Sequence, residues 1–367
     1  MSSLIVEVCE VAEIAKHPNA DRLEKVRVKN WWCLSTIGHY KVGDKCVYIP
    51  PDAIISNSLA EKWNVTKFLA PLPKNPDGSR PDGLRVRAVK FRGERSYGMI
   101  QDLDDPTWEV GKDLIEHYNI FKYEPPVKSH AGDAAADYEP FHKYTDIENF
   151  GNFPDVFQDG EEVVIDEKIH GTNCRFGIVP MPDDTGLNQQ TFMGGSHTVR
   201  RKQFDPKGNE SLYWFPIHVS GVVQLLNYCY DISKGQPVIL FGEIYGPGIQ
   251  DMHYGLEAKG FRAFDMTIGG KWLDYDEKTA LWSKFGVEAV PVIYRGPFSL
   301  AKCEELVDGP TTVCETSKIR EVFKGREGIV IRPVKERFDS SLCGRAILKY
   351  VSVDYHERKN KDRSEDH

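Results

Sequence analysis

The 367-residue sequence has no apolar run near the roughly 20 residues that a membrane-spanning helix requires, so no helical membrane span is expected. Its opening, MSSLIVEVCEVAEIAKH, carries three glutamates and lacks a basic start ahead of an apolar stretch. It does not read as a secretory signal, and an intracellular protein, cytoplasmic or nuclear, is expected. Eight cysteines (Cys9, Cys33, Cys46, Cys174, Cys229, Cys303, Cys314 and Cys343) are scattered without the paired spacing of a zinc site. They are expected to be reduced and mostly buried. The glycine-rich FGEIYGPGIQ lacks the Gly-Lys-Ser/Thr ending of a P-loop. No G-x-S-x-G turn accompanies Ser196 and His197, and neighbours on a strand point to opposite faces, which excludes a serine hydrolase built on that pair. Positive charge is not in excess: 47 Lys and Arg face 55 Asp and Glu, a net charge of −8. That balance argues against whole-surface attraction to nucleic acid and leaves a local basic groove open.

What is present suits two domains, because the chain is too long for one ordinary core. Residues 1–123 read as short β-branched strands separated by Gly, Pro, Asn and Asp, the pattern of a small barrel. PLPKNPDGSRPD (Pro71–Asp82) is expected to be an irregular excursion. EPPVKSHAGDAAAD (124–137) reads as a linker. From residue 138 to 355 strands alternate with a few helices, giving a mixed α+β domain. Helices are expected over His218–Ile232, Asp276–Gly286 and Ser299–Gly309. The charged end, residues 356–367, reads as a disordered tail.

In the first module, KHPNADRLEKVRV (Lys16–Val28) and VKFRGERSYGMI (Val89–Ile100) resemble the opening and closing strands of tRNA-binding OB-fold domains. Arg85, Arg87, Lys90, Arg92 and Arg95 fall within eleven residues, and period-two alternation places Arg85 and Arg87 on one strand face. With Trp31, Trp32 or Phe91 nearby for stacking, Arg85, Arg87 and Arg92 are candidate nucleic-acid contacts. A barrel used only for packing, with a solvated charged face, would show the same pattern.

Three strands of the second domain end in an ionisable residue beside glycine: DEKIHG, ILFGEIYG and GREGIVIRP. Lys168, Glu243 and Glu327 are therefore candidates for one site assembled from several strands. EKIHGTN (Glu167–Asn173) resembles the lysine motif of covalent nucleotidyltransferases, in the form found in nick-sealing ATP-dependent RNA ligases. GGSHTVRR, FGEIYG, FRAFDM, EGIVIRP and AILKYVS follow in that family's order. The resemblance implies an α+β fold in which an N-terminal OB barrel precedes a mixed α/β adenylyltransferase domain with antiparallel sheets.

It also implies a three-step reaction. Lys168 attacks the α-phosphorus of ATP to form a lysyl-AMP; AMP then passes to an RNA 5′-phosphate; a 3′-hydroxyl finally displaces AMP. Lys168 must be neutral to attack, so the site is expected to lower its pKa by partial burial and nearby positive charge, including a metal ion. By this resemblance Glu243 and Glu327 hold Mg²⁺ or Mn²⁺, Glu243 also reaching the ribose. Phe264 stacks on adenine, with Asp265 behind it, and Lys349 contacts the α-phosphate. His170, Thr172 and Asn173 line the ribose and later-step phosphates, Gly171 lets the backbone approach the nucleotide, and Glu167 joins the nucleotide-binding set. Ser196 and either Arg200 or Arg201 are candidates for RNA contact; Tyr144 and Asn149, in KYTDIENF, for nucleotide contact. One departure is Ile347, where the family commonly carries a second lysine, and Arg345 is a candidate substitute. The expected partner is RNA with 3′-OH and 5′-phosphate ends, as a nick in a duplex, acted on by a monomer. DNA ligases and capping guanylyltransferases share the lysine chemistry, and Ile347 leaves open an RNA-binding adaptor that has lost activity.

Overall fold

The computed structural model describes residues 3–74, 78–123, 132–183 and 185–361. Part of the expected linker (124–131) and the last six residues lie outside the described residues. The chain forms two compact units. The first comprises Met1–Pro126, Ile147–Val156 and Tyr350–His367; the second comprises Val127–Asp146 and Phe157–Lys349. The chain therefore returns to the first unit twice after leaving it, which the expected boundaries at 123, 138 and 355 do not contain.

The first unit is a near-closed antiparallel β structure of OB type. Five strands pair in the order Met99–Gln101, Lys45–Ile49, Glu7–Lys16, Leu23–Val28 and Trp31–Thr36. Leu23–Val28 and Trp31–Thr36 form a hairpin with Val28 opposite Trp31. Lys29 takes a left-handed conformation at the turn, φ 51°, as two-residue hairpin loops require. Alternating residues of Leu23–Val28 are buried, so one face of the hairpin lies inward. Val6, Val8, Val47, Ile49, Ile55, Trp108 and Leu114 form the interior.

Residues 147–156 dock on this barrel: the Trp31 indole donates to Asn152 Oδ1 at 2.7 Å and the Asn30 N–H donates to the Gly151 carbonyl at 3.2 Å. Val353–Lys361 is an α-helix, a correction to the disordered tail expected from residue 356. The sequence hid it because its buried contacts use Val353 and Arg358 in place of an apolar stripe.

The second unit contains two larger antiparallel sheets and a two-stranded ribbon, Phe338–Asp339 with Gly344–Arg345. Six strands run in the order Arg200–Arg201, Asn188–Ser196, Thr172–Pro182, Val238–Tyr245, Gly260–Ile268 and Lys271–Trp272. In the other sheet Glu162–Lys168 lies between Val292–Pro297 and Gly328–Pro333, antiparallel to both, and Leu348–Val351 lies next to Gly328–Pro333. Two helices cover the six-stranded sheet. Val222–Ile232 buries Val222, Leu225, Leu226 and Cys229, a helical i, i+3, i+4, i+7 stripe. Tyr275–Phe285 starts at a reciprocal Asp274–Glu277 capping box and ends at left-handed Gly286, as capping chemistry dictates. Six of the eight free cysteines are buried, Cys314 is half-buried and Cys343 exposed. Among the described residues no helix is long and apolar enough to cross a membrane.

Candidate active site

Antiparallel register assembles the site. Lys168 ends its strand opposite Gly328, the residue after Glu327, and its Nζ lies 2.9 Å from Glu327 Oε1. The chain then turns through Ile169, His170 and Gly171 into Thr172–Pro182, where Asn173 sits opposite Glu243. A Cβ at Gly171 would run into the Ile244 carbonyl and lie 2.9 Å from Glu243 Cγ. The glycine is thus required by the strand that carries Glu243, a closer constraint than the nucleotide approach expected for it.

The charges at this turn are tightly linked. Burial disfavours the Lys168 ammonium, but Glu327 and Glu243 outweigh it and hold the amine above its ordinary range. The side chains that raise it are carboxylates, whereas the expected lowering calls on nearby positive charge, including a metal ion. Burial likewise opposes the Glu327 charge, yet Lys168 and His170 draw its pKa down to about 2. Glu243 goes the other way: burial pushes it up to about 8, with Lys168 only partly compensating and Glu327 adding repulsion. Near neutral pH Glu327 carries the negative charge and Glu243 the proton.

Two oxygens at this site, Glu327 Oε2 and Asn173 Oδ1, are buried without a hydrogen-bond partner. Buried oxygens of this kind beside two carboxylates fit a hard divalent cation. Among the described residues no cluster of three or more His, Cys, Asp or Glu side chains is arranged to hold a metal. The donor set therefore fits a cation that completes its shell with water and phosphate oxygens.

His170 lies beside this group, with Nδ1 3.7 Å from Glu327 Oε2 and Nε2 2.7 Å from Asp251 Oδ1. Its backbone N–H donates to the Tyr254 hydroxyl at 2.7 Å, and Gln250 donates to the Gly171 carbonyl at 3.1 Å. Asp251, Tyr254 and Gln250 were missed in the sequence. They lie four to eight residues after FGEIYG, and that proximity was the available signal. Thr172 shares a hydrogen bond with the Tyr213 hydroxyl. Glu167 departs from expectation: alternation turns it away from Lys168, and its carboxylate accepts from the Thr312 N–H and hydroxyl, each at 2.6 Å, and from Thr311.

Phe264 is half-buried, its ring edge-on to Tyr144 at 4.9 Å between centroids. Behind it, Asp265 accepts from Lys278 at 2.7 Å, Arg345 at 2.8 Å and the Tyr144 hydroxyl at 2.9 Å. Arg332 spans Asp166 at 3.0 Å and Asp265 at 3.4 Å, and donates to the Phe264 carbonyl at 2.8 Å. Tyr144, expected as a nucleotide contact, is buried with its hydroxyl given to Asp265. Arg345 is likewise committed, to Asp265 and Glu336, and stacks 3.8 Å over Trp272. Ile347 is buried, and Lys349 is half-buried on Leu348–Val351.

The expected RNA contacts separate. Arg201 is buried against Asp133 at 2.6 Å, within the stretch read as linker. Arg200 Nε donates to the Ala136 carbonyl, and the Ser196 hydroxyl bonds within its own turn to Val199. Arg85, Arg87 and Arg92 fall in the first unit, as does Asn149, expected as a nucleotide contact.

A family model for RNA ligase matches residues 161–351, and a model of an OB-fold domain matches residues 5–103. Solved structures of Naegleria gruberi RNA ligase are similar over nearly the whole chain. The form with PPi has a TM-score of 0.70 at 22% identity, covering 98% of this chain and 100% of that one. An apo variant gives 0.71 at 22% identity, with 99% and 100% coverage. A lysine-to-alanine variant with ATP and Mn gives 0.70 at 22% identity, with 98% and 100% coverage. No curated protein sequence matches. The RNA ligase match spans more than half of the chain and contains Lys168, Glu243 and Glu327, and so this chain belongs to the RNA ligase family.

Proposed function

We propose that this RNA ligase uses ATP to join RNA 3′-OH and 5′-phosphate ends through a lysyl-AMP on Lys168. The observation that carries the reading is the convergence of Lys168, Glu327 and Glu243 at one turn between two sheets. Lys168 Nζ forms the bond to the α-phosphorus as the bond to the β-phosphate oxygen breaks and pyrophosphate leaves. Glu327 Oε1, 2.9 Å from Nζ, is within reach of the proton that the amine must shed. Phe264 supplies an aromatic face for adenine, and Asn173 and His170 line the sugar and phosphates. In the later steps AMP moves to the RNA 5′-phosphate and is expelled by the 3′-hydroxyl.

Glu243 and Glu327 would hold a Mg²⁺ or Mn²⁺ ion, whose charge offsets the field that keeps Lys168 protonated and the charge developing at phosphorus. The solved Naegleria gruberi ligases with ATP and Mn, with AMP and Mn, and with PPi support this choice of nucleotide and cation. We infer a nicked duplex as substrate and a monomeric enzyme acting inside the cell.

Intact mass after incubation with ATP and Mg²⁺ tests the reading. An added AMP is expected in the native protein and not in Lys168→Ala; its absence from the native protein would sink the proposal. Labelling by GTP in place of ATP would turn the assignment toward capping. Comparing nicked RNA with nicked DNA tests the substrate.

A further inference from the structure

The first unit contains a cleft of about 760 Å³, a volume in the range of small-molecule and nucleotide sites. Its lining includes five cationic side chains, Lys74, Arg80, Arg85, Arg87 and Arg358, against a single carboxylate, Asp52. In a chain of net charge −8 this is a local reversal of sign, and a concave one focuses potential on an anion.

Two of the guanidinium groups are already held in place. Arg85 lies 4.1 Å over the Tyr123 ring while its Nε donates to Asp52 at 2.9 Å. Arg358 lies 3.8 Å over the Tyr355 ring and donates to the Tyr355 carbonyl at 3.0 Å. A stacked guanidinium has less side-chain entropy to lose on binding, and its planar fork matches phosphate oxygens. Lys74 and Arg80 are exposed and extend the positive lining outward.

One wall of the cleft is the helix Val353–Lys361, which is fastened to the strand Ala88–Phe91. The Lys90 ammonium pairs with Asp354, and the Lys90 N–H donates to Glu357. Tyr355 and Arg358 reach the lining through that fastening.

We propose that this cleft binds the phosphodiester backbone of RNA, with the C-terminal helix as an integral wall. The cations come from residues 74–87 and from Arg358 on the C-terminal helix, and five of them suit successive phosphates along a strand better than one compact anion. Tyr123 and Tyr355 each have a ring face covered by arginine, which favours phosphate recognition over base stacking. Arg92, expected among the RNA contacts, is absent from the lining and instead donates to the Asn19 carbonyl. RNA as the occupant rests on the proposed function.

The test is fluorescence anisotropy of a labelled nicked RNA duplex with the full-length chain at several salt concentrations. Lys74→Ala combined with Arg80→Ala removes two exposed cations with little risk to folding. It should weaken binding about tenfold or more and lower the slope of log affinity against log salt by about 2. Lys74→Arg with Arg80→Lys should restore both. Unchanged affinity and slope in the alanine pair would overturn the cleft. Displacement of the RNA by pyrophosphate at equal phosphate concentration would overturn the assignment to a backbone and make the cleft a site for free polyphosphate. AMP-adduct mass on the native protein is read in parallel: its absence counts against the proposed reaction, while the anisotropy result still judges the cleft.

Discussion

At the scale of single residues, the turn after Lys168 is governed by steric and ionic constraints that meet at Glu243. An unfolded chain ionises this carboxyl near about 4.3, whereas the folded site keeps its proton to about 8. The folded pKa is therefore raised, so the stability it contributes is full below the unfolded value and is lost as pH rises to the folded one. Without added cation, denaturant unfolding should show stability falling between about pH 5 and 8 and levelling off above. In Glu243→Gln that fall should be shallower; identical slopes in the two proteins would remove Glu243 as its source. Gly171→Ala forces a Cβ against the Ile244 carbonyl and Glu243, and should cost about 1–3 kcal/mol by overpacking, measurable in the same titrations. The Lys168 motif was legible in the sequence because local order carries it. The direction of the lysine's pKa was not, since it depends on carboxylates 75 and 159 residues further along the chain.

At the scale of elements, the two larger sheets of the second unit are tied by buried charge. Asp265 sits within Gly260–Ile268, Asp166 and Arg332 lie on neighbouring strands of the other sheet, and Lys278 projects from the helix Tyr275–Phe285. Burial opposes the Asp265 charge, but Arg345, Lys278 and Arg332 outweigh it and hold the carboxyl far below its ordinary range. Asp265→Asn would leave those cations short of a counter-charge and should cost about 3–5 kcal/mol. Lys278→Met should cost clearly less, because Arg345 and Arg332 still neutralise Asp265. Urea midpoints of the two variants check the ranking, and equal losses would contradict it. The strands beneath this network were readable from β-branched runs bounded by glycine, and the helix Tyr275–Phe285 from its acidic start and Gly286. The expected helix from His218 begins only at Val222: Gly221 takes φ 82°, and Leu212–His218 is a separate 3₁₀ segment. The network itself left no mark in the sequence, because Lys278 lies outside every recognisable motif and its partners are distant in the chain.

At the scale of the whole molecule, the first unit is assembled from three stretches of chain and the second from two. Composition suggested a barrel, a linker and a ligase domain in simple succession. Docking of Ile147–Val156 on Asn30 and Trp31 and of the last helix on Lys90 uses long-range hydrogen bonds and ion pairs that periodicity does not encode. Ending the chain after Ser352 should lower the thermal midpoint of the first unit and abolish binding of nicked RNA; an unchanged melting curve would show the helix to be dispensable. This layout also imposes an order during synthesis. All of the second unit has been translated by Lys349, whereas the wall formed by Tyr355 and Arg358 is still to be made. The proposed basic cleft therefore joins side chains that precede the second unit in the sequence, Lys74, Arg80, Arg85 and Arg87, to Tyr355 and Arg358, which follow it, and it cannot close until both stretches have been made.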